Sequence, residues 1–249
     1  MTAPATEIPK SLVETLRSAY SVAVLTGSGI SAESGVPTFR DAQTGLWARY
    51  DPMELATPEA FTRDPRLVWE WYAWRRKLVE GASPNPGHEA LAELERRVPE
   101  FALMTQNVDG LHRRAGSQRV IELHGNIMLS KCSREDVVVE SRTDDPEVPP
   151  TCSRCGALLR PDVVWFGEML PQEAFEEALM AARNCDLFFA IGTSSLVQPA
   201  ASLPFEALRG GVSVVEVNPD ETPLTRHVEY GLRGRAGELL PALVSATYG

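Results

Sequence analysis

Residues 27–40 read GSGISAESGVPTFR and directly follow an apolar run, Val22-Ala23-Val24-Leu25. Gly27, Gly29 and Ala32 have the G-x-G-x-x-A spacing of a strand-to-helix turn whose backbone amides can approach a pyrophosphate closely. Ordinary tight turns show the same pattern. Here it runs on through Ser31, Glu33, Ser34, Thr38 and Arg40, and Pro37 opposes a helix that starts at the turn and continues. The segment therefore reads as a long, partly mobile loop for a dinucleotide. His124 stands just past a second apolar run and before Gly125. An imidazole titrating at about pH 6.5 can act as a base near neutrality, although a lone histidine is more often structural. Gln106, Asn107 and Asp109 follow a third run, where Asn and Asp also suit a plain turn. Gly192, Thr193 and Ser194 follow a fourth run, and Asn218 a fifth. Small residues permit close backbone approach, and hydroxyls bond phosphate or ribose. Cys152-x-x-Cys155 has the spacing of a metal or redox pair.

The elements that must hold these residues alternate. Apolar runs at 22–26, 101–105, 120–123, 187–191 and 212–217 read as strands. Helical patterns over 7–20, 88–97, 172–183, 199–209 and 237–244 lie between and around them. This alternation predicts an α/β fold, a Rossmann-like, doubly wound parallel sheet with helices on both faces. Ligands of such sheets bind at the carboxyl ends of the strands, where every reactive-looking group above falls. Two segments break the pattern. Residues 44–84 form a Trp-rich helical insertion, and residues 126–160 are irregular and carry three of the four cysteines. Both are assigned to a smaller second domain. The Rossmann-like domain then comprises 1–43, 85–125 and 161–249.

Composition narrows the function classes. The 249 residues carry a net charge of −10, which argues against a nucleic-acid surface. No apolar stretch approaches the length of a membrane span, and MTAPATEIPK lacks the pattern of a signal peptide. A cytoplasmic protein with no nucleic-acid or membrane partner is expected.

Six segments in order resemble the sirtuins, the NAD-dependent protein lysine deacylases: residues 27–40, TQNVDGLHRRAG (105–116), ELHGN (122–126), CSRCGALLRPDVVWFGE (152–168), IGTSS (191–195) and VNPD (217–220). The resemblance implies NAD as cofactor and acylated lysine side chains of proteins as partners. It implies a reaction in which the acyl-lysine carbonyl oxygen attacks C1′ of the nicotinamide ribose, and His124 then deprotonates a ribose hydroxyl. The products are free lysine, nicotinamide and O-acyl-ADP-ribose. It assigns Asn107 and Asp109 to the nicotinamide pocket and Gln106 to the ribose, with Asn107 joining His124 as a catalytic residue. Gly27, Ser28, Gly29, Ile30, Glu33, Thr38, Phe39, Arg40 and Trp47 fall to the cofactor, as do Gly192, Thr193, Ser194, Asn218 and Ala236. Many family members have Ala where this chain has Ser28, an exchange of small residues. Val163, Trp165, Phe166, Gly167 and Glu168 lie in a strand edge expected to pair with the substrate peptide by β-addition. His112 is expected to hold its helix against the loop, and His88 and His227 to be surface or capping residues.

The helical insertion bears on the acyl group. Leu67, Trp71, Trp74 and Leu78 lie at helical spacing as the core stripe. Tyr72 and Arg75 share a neighbouring face. WEWYAWRR resembles the segment of class III sirtuins, the desuccinylase and demalonylase type, in which this Tyr and Arg bind the acyl carboxylate. Succinyl- and malonyl-lysine are therefore expected as substrates, with acetyl-lysine accepted too. Ala56 fits a roomier acyl pocket. The family pattern also includes two C-x-x-C pairs holding structural zinc. Here the second pair, Cys152 and Cys155, is intact, but the first reads Cys132-Ser133-Arg134-Glu135. Zinc on three thiolates with Glu135 or Asp136, or a degenerate site, are both open. Cys185 reads as a buried small hydrophobe. Alternatives on the same scaffold are an NAD-consuming ADP-ribosyltransferase or NADase, or a non-catalytic dinucleotide sensor. A dehydrogenase is disfavoured because no acidic residue stands at a strand end about 20 residues beyond the glycines.

Overall fold

The computed structural model describes residues 7–38, 50–139 and 148–249. Phe39, Arg40 and Trp47, expected at the cofactor, lie outside the described residues. The chain opens with α1 (Lys10–Ser18), β1 (Ser21–Thr26) and the short α2 (Ser28–Ala32). Three helices follow, α3 (Pro52–Leu55), α4 (Pro58–Arg63) and α5 (Pro65–Gly81), then α6 (Pro86–Arg97), β2 (Glu100–Thr105), α7 (Leu111–Arg114) and β3 (Val120–Glu122). Next come β4 (Gly125–Cys132), β5 (Val138–Val139), β6 (Leu159–Val163), α8 (Gln172–Asn184), β7 (Leu187–Ile191), α9 (Leu203–Arg209), β8 (Ser213–Val217), β9 (Tyr230–Leu232) and α10 (Ala236–Tyr248).

The main sheet is parallel, in the order β3-β2-β1-β7-β8-β9. Alternate side chains leave opposite faces of each strand. Val22 and Val24 of β1 thus enter a core with Leu12, Leu16, Leu91, Leu94 and Leu243 under α1, α6 and α10. Ala23 and Leu25 enter another with Phe188, Ala178, Ala182, Leu203 and Ala207 under α8 and α9. Burial on both faces explains why these strands read as continuous apolar runs. The register sets the last residues level: Thr26 opposes Thr105 and Ile191, Thr105 opposes Glu122, and Ile191 opposes Val217. The residues just beyond them form one row across the carboxyl edge. Strand order reverses between β1 and β7, so this edge has a topological switch point.

Three expectations change. Residues 126–160 are not simply irregular, because β4, β5 and β6 form a second sheet, antiparallel, in the order β5-β4-β6. Its pairing shifts between Asn126 and Ser130, which breaks the alternation that would betray a strand. The glycine turn is not one long loop, since α2 starts at Ser28, with Pro37 beyond its end. On α5 the buried residues are Val68, Trp69, Trp71, Tyr72 and Val79, whereas Leu67 and Trp74 are half-buried and Leu78 is exposed. This helix is apolar on more than one face. Its buried side is therefore chosen by what it meets, and Trp71 and Tyr72 meet Ile127, Val163 and Trp165.

Candidate active site

At the switch point three glycines pack backbone against backbone. A Cβ on Gly27 would lie 2.8 Å from the Gly192 carbonyl oxygen, one on Gly29 2.7 Å from Gly192 Cα, and one on Gly192 2.6 Å from the Ile30 amide. Gly192 also has φ +59, which disfavours side chains. The Gly29 amide donates to the Gly192 carbonyl at 2.9 Å. The first reason for these glycines is thus the docking of the β1 and β7 loops. Ser28 is exposed at the start of α2, and Ile30 is buried in the core. Glu33 turns to the opposite end of the loop, where its carboxylate accepts from the Gly237 amide at 3.0 Å, beside the buried Ala236. Thr38 is half-buried.

Beyond β2, the Gln106 side chain donates to Thr193 Oγ1 at 3.1 Å, joining two loops across the crevice. Asn107 Nδ2 donates to the Gly27 carbonyl at 3.0 Å and to Ser31 Oγ at 2.9 Å. These bonds fix the amide orientation and leave Oδ1 as an acceptor. Asp109 is buried; desolvation raises its pKa, opposed by bonds from the Leu111 amide and Ser31. Asn218 Nδ2 donates to the Thr193 carbonyl at 2.9 Å. Ser194 is half-buried beside them.

His124 lies at the same edge. Its Nδ1–H donates to the Gln106 carbonyl at 2.9 Å. That bond fixes the tautomer and leaves Nε2 with its lone pair. Burial pushes the imidazole below its ordinary value, so it is neutral at pH 7. The His124 carbonyl accepts from the Val164 amide at 3.0 Å, which couples this edge to the end of β6.

The 163–168 segment is not a continuous strand edge, because β6 ends at Val163. The Phe166 amide donates to the Ala56 carbonyl, and the Glu168 amide to the Trp165 carbonyl. Glu168 accepts two bonds from Arg160, at 2.5 and 2.9 Å, and one from the Trp165 amide at 2.8 Å. With these amides engaged, a peptide strand would find mainly acceptors here. Gly167 has φ +86, and Phe166 is partly exposed. Trp165 Nε1–H donates to the Tyr72 hydroxyl at 3.0 Å. Burial pushes the Tyr72 pKa up to about 12, so it stays protonated and can donate its own hydrogen. Arg75 places its guanidinium 5.0 Å from the Trp71 ring centroid. Burial lowers the Arg75 pKa and the nearby Tyr72 opposes the shift.

The cysteine module gathers Cys132, Cys152 and Cys155 with Glu135, their ligand atoms all within 4.8 Å of one another. Cys132 Sγ and Cys155 Sγ are 3.5 Å apart, close to the ~3.8 Å that tetrahedral bonds of ~2.3 Å to zinc imply. The Glu135 amide points at Cys132 Sγ at 3.4 Å and favours its thiolate. This donor set fits zinc. Glu135, whose carboxylate also pairs with Arg154 at 3.2 Å, lies in the cluster and is the fourth candidate ligand, whereas Asp136 lies outside it and pairs with Lys131 at 2.8 Å. Cys185 is buried apart from them, its thiol pushed up to about 12.

Residues the sequence reading missed are Thr26 and Thr105, bonded to each other at 2.8 Å beneath Asn107, and Arg160. Each Thr closes an apolar run, a signal visible only once the runs are set side by side. His88 is buried, not at the surface, and caps α6 as its Nδ1 accepts from the Asn85 amide at 3.3 Å. Among the described residues, no helix is long and apolar enough to cross a membrane.

The chain matches the Sir2 family model over residues 27–199. It is 52% identical over 248 residues to an NAD-dependent protein deacylase of Methylococcus capsulatus, covering 96% of this chain and 97% of that one. Its fold is similar to the crystal structure of a Sir2 homolog–NAD complex, with a TM-score of 0.91 and 47% identity over 99% of this chain and 96% of that one. It is also similar to a mutant Sir2 homologue in complex with 2′-O-acetyl ADP ribose, with a TM-score of 0.89 and 48% identity over 96% of both chains.

Proposed function

The chain belongs to the Sir2 family, and from that premise we propose that it is an NAD-dependent protein lysine deacylase that removes succinyl, malonyl and acetyl groups. The observation that carries the reading is the fixed His124 tautomer, with Nε2 left as a base on the edge that also bears Asn107 and the glycine turn. The donors and acceptors on that edge suit a dinucleotide: Asn107 Oδ1 for a carboxamide, and Gln106, Thr193 and Asn218 for ribose and phosphate oxygens. NAD, when bound, supplies an electrophilic ribose carbon and a hydroxyl that receives the acyl group. His124 Nε2 takes the proton from that hydroxyl, and the Nδ1–H bond to Gln106 steadies the cation that forms. Asn107, clamped by Gly27 and Ser31, fixes the leaving base. Zinc would be held by Cys132, Glu135, Cys152 and Cys155 as a structural staple, away from the chemistry.

The acyl preference rests on Tyr72 and Arg75. A guanidinium in desolvated surroundings gains most from an anion, and arginine offers paired donors that match a carboxylate. Tyr72, turned by its bond from Trp165, adds a third donor. The lysine chain would enter past Phe166 and Gly167. The test is incubation with NAD and matched acetyl-, succinyl- and malonyl-lysine peptides, with products identified by mass. O-acyl-ADP-ribose is expected from all three, fastest from the acidic acyl groups. ADP-ribose released without any acylated peptide would point instead to an NADase.

A further inference from the structure

Behind Asn107 lies a buried polar chain with no place in that chemistry. His112 is 2% exposed and His88 fully buried, and their ring centroids are 4.8 Å apart. His88 Nδ1 accepts from the Asn85 amide, so its proton is on Nε2. On the other side, His112 Nε2 lies 2.9 Å from Thr26 Oγ1. Thr26 Oγ1 donates to Thr105 Oγ1 at 2.8 Å, so it accepts from His112, which places the His112 proton on Nε2 as well. Thr105 Oγ1 also accepts from the Asn107 amide at 3.0 Å. Two atoms then stand buried without partners, His88 Nε2–H, a donor, and His112 Nδ1, an acceptor. Burial puts His88 at about 4 and His112 at about 3, so both rings are neutral.

We propose that His88 and His112 are positioning residues that act through Thr26 and Thr105 to fix the Asn107 backbone, and with it the pocket for the leaving base. The proposal rests on the deacylase reading only for its kinetic readout. With Thr26 as the donor to Thr105, donation runs one way, from His112 Nε2–H to Thr26 and from Thr26 to Thr105. Asn107 therefore has a rigid floor, reaching from the N-cap of α6 at Asn85 to the end of β2. A side chain at 112 that can neither donate nor accept would leave Thr26 Oγ1 without this partner and loosen the loop that carries Asn107.

Two measurements test this. The first is ¹⁵N NMR of histidine-labelled protein, which reports tautomers without any turnover. Two of the four imidazoles should be neutral Nε2–H forms from pH 7.5 down to 5; an Nδ1–H form at His88 or His112, each assigned by its His→Gln variant, overturns the proposal. The second compares His112→Gln, whose amide can still donate to Thr26, with His112→Leu, which cannot. His112→Leu should lower acyl-peptide-dependent nicotinamide release by about 10- to 100-fold, and raise the concentration of nicotinamide needed to inhibit, with the KM for peptide unchanged. His112→Gln should recover most of that loss. Equal loss in both variants, or a matching rise in peptide KM, means a merely structural role. If His112→Leu fails to fold, His112→Gln decides: it must keep rate and nicotinamide inhibition within a few-fold of wild type. No nicotinamide release by wild-type protein would end the deacylase reading, and the NMR result would then stand as the test of the chain itself.

Discussion

Lowering the pH from 7 to 5 should destabilise this protein through two buried histidines. A histidine in the unfolded chain titrates at 6.5, whereas burial holds His88 at about 4 and His112 at about 3. The unfolded chain therefore takes up these protons first, and acid favours unfolding. Their contribution is complete above the unfolded value, falls as the pH falls through it, and levels only below the folded values. From 6.5 to pH 5 is about 1.5 units at about 1.36 kcal/mol each, so each ring costs about 2 kcal/mol and the two together about 4. That is a large share of the roughly 5–15 kcal/mol by which folded proteins are stable. His124, also lowered by burial, acts in the same sense. Asp109, Glu122 and Asp162, raised by burial, act in the opposite one. All of these stay in place in His88→Gln and His112→Gln, so the difference between variant and wild-type profiles isolates each ring. Urea unfolding at pH 7, 6 and 5 is the assay. Each variant should lose about 2 kcal/mol of the wild-type pH dependence. Profiles that run parallel to wild type in both variants would refute the reasoning.

Other consequences follow from the site. Arg75→Met should cut kcat/KM for succinyl-lysine peptide by about 10- to 100-fold through loss of a charged hydrogen bond, and leave acetyl-lysine within a few-fold; equal losses on both peptides would remove the carboxylate clamp. His124→Ala should lower deacylation by at least about 100-fold while calorimetry still finds NAD affinity, because the Gly27, Asn107 and Thr193 contacts do not involve the imidazole. Metal analysis should find one zinc per chain, and Glu135→Cys should resist a chelator at concentrations that strip the wild type, since thiolate replaces carboxylate in an otherwise unchanged set. Gly192→Ala should lower stability by about 1–3 kcal/mol in denaturant melts and weaken NAD binding with it, because its Cβ would meet the α2 backbone at an unfavourable φ.

The sequence alone determined the alternating fold, and from it the position of His124 and its neighbours at the carboxyl edge of the sheet. These are legible because buried parallel strands are continuous apolar runs, and because each ends in residues whose backbone needs are local. It left open which carboxylate joins the three cysteines. Glu135 and Asp136 are adjacent in the chain, and only the turn after β4 sends one to the thiols and the other to Lys131. It misjudged which face of α5 is buried, since a helix apolar on several sides takes its inward face from the sheet it meets. The floor beneath Asn107 was decided by tertiary structure alone. Thr26, Thr105, His88 and His112 come from four separate elements, and hydrogen bonds and ring contacts between strands and helices far apart in the chain leave no periodicity to read.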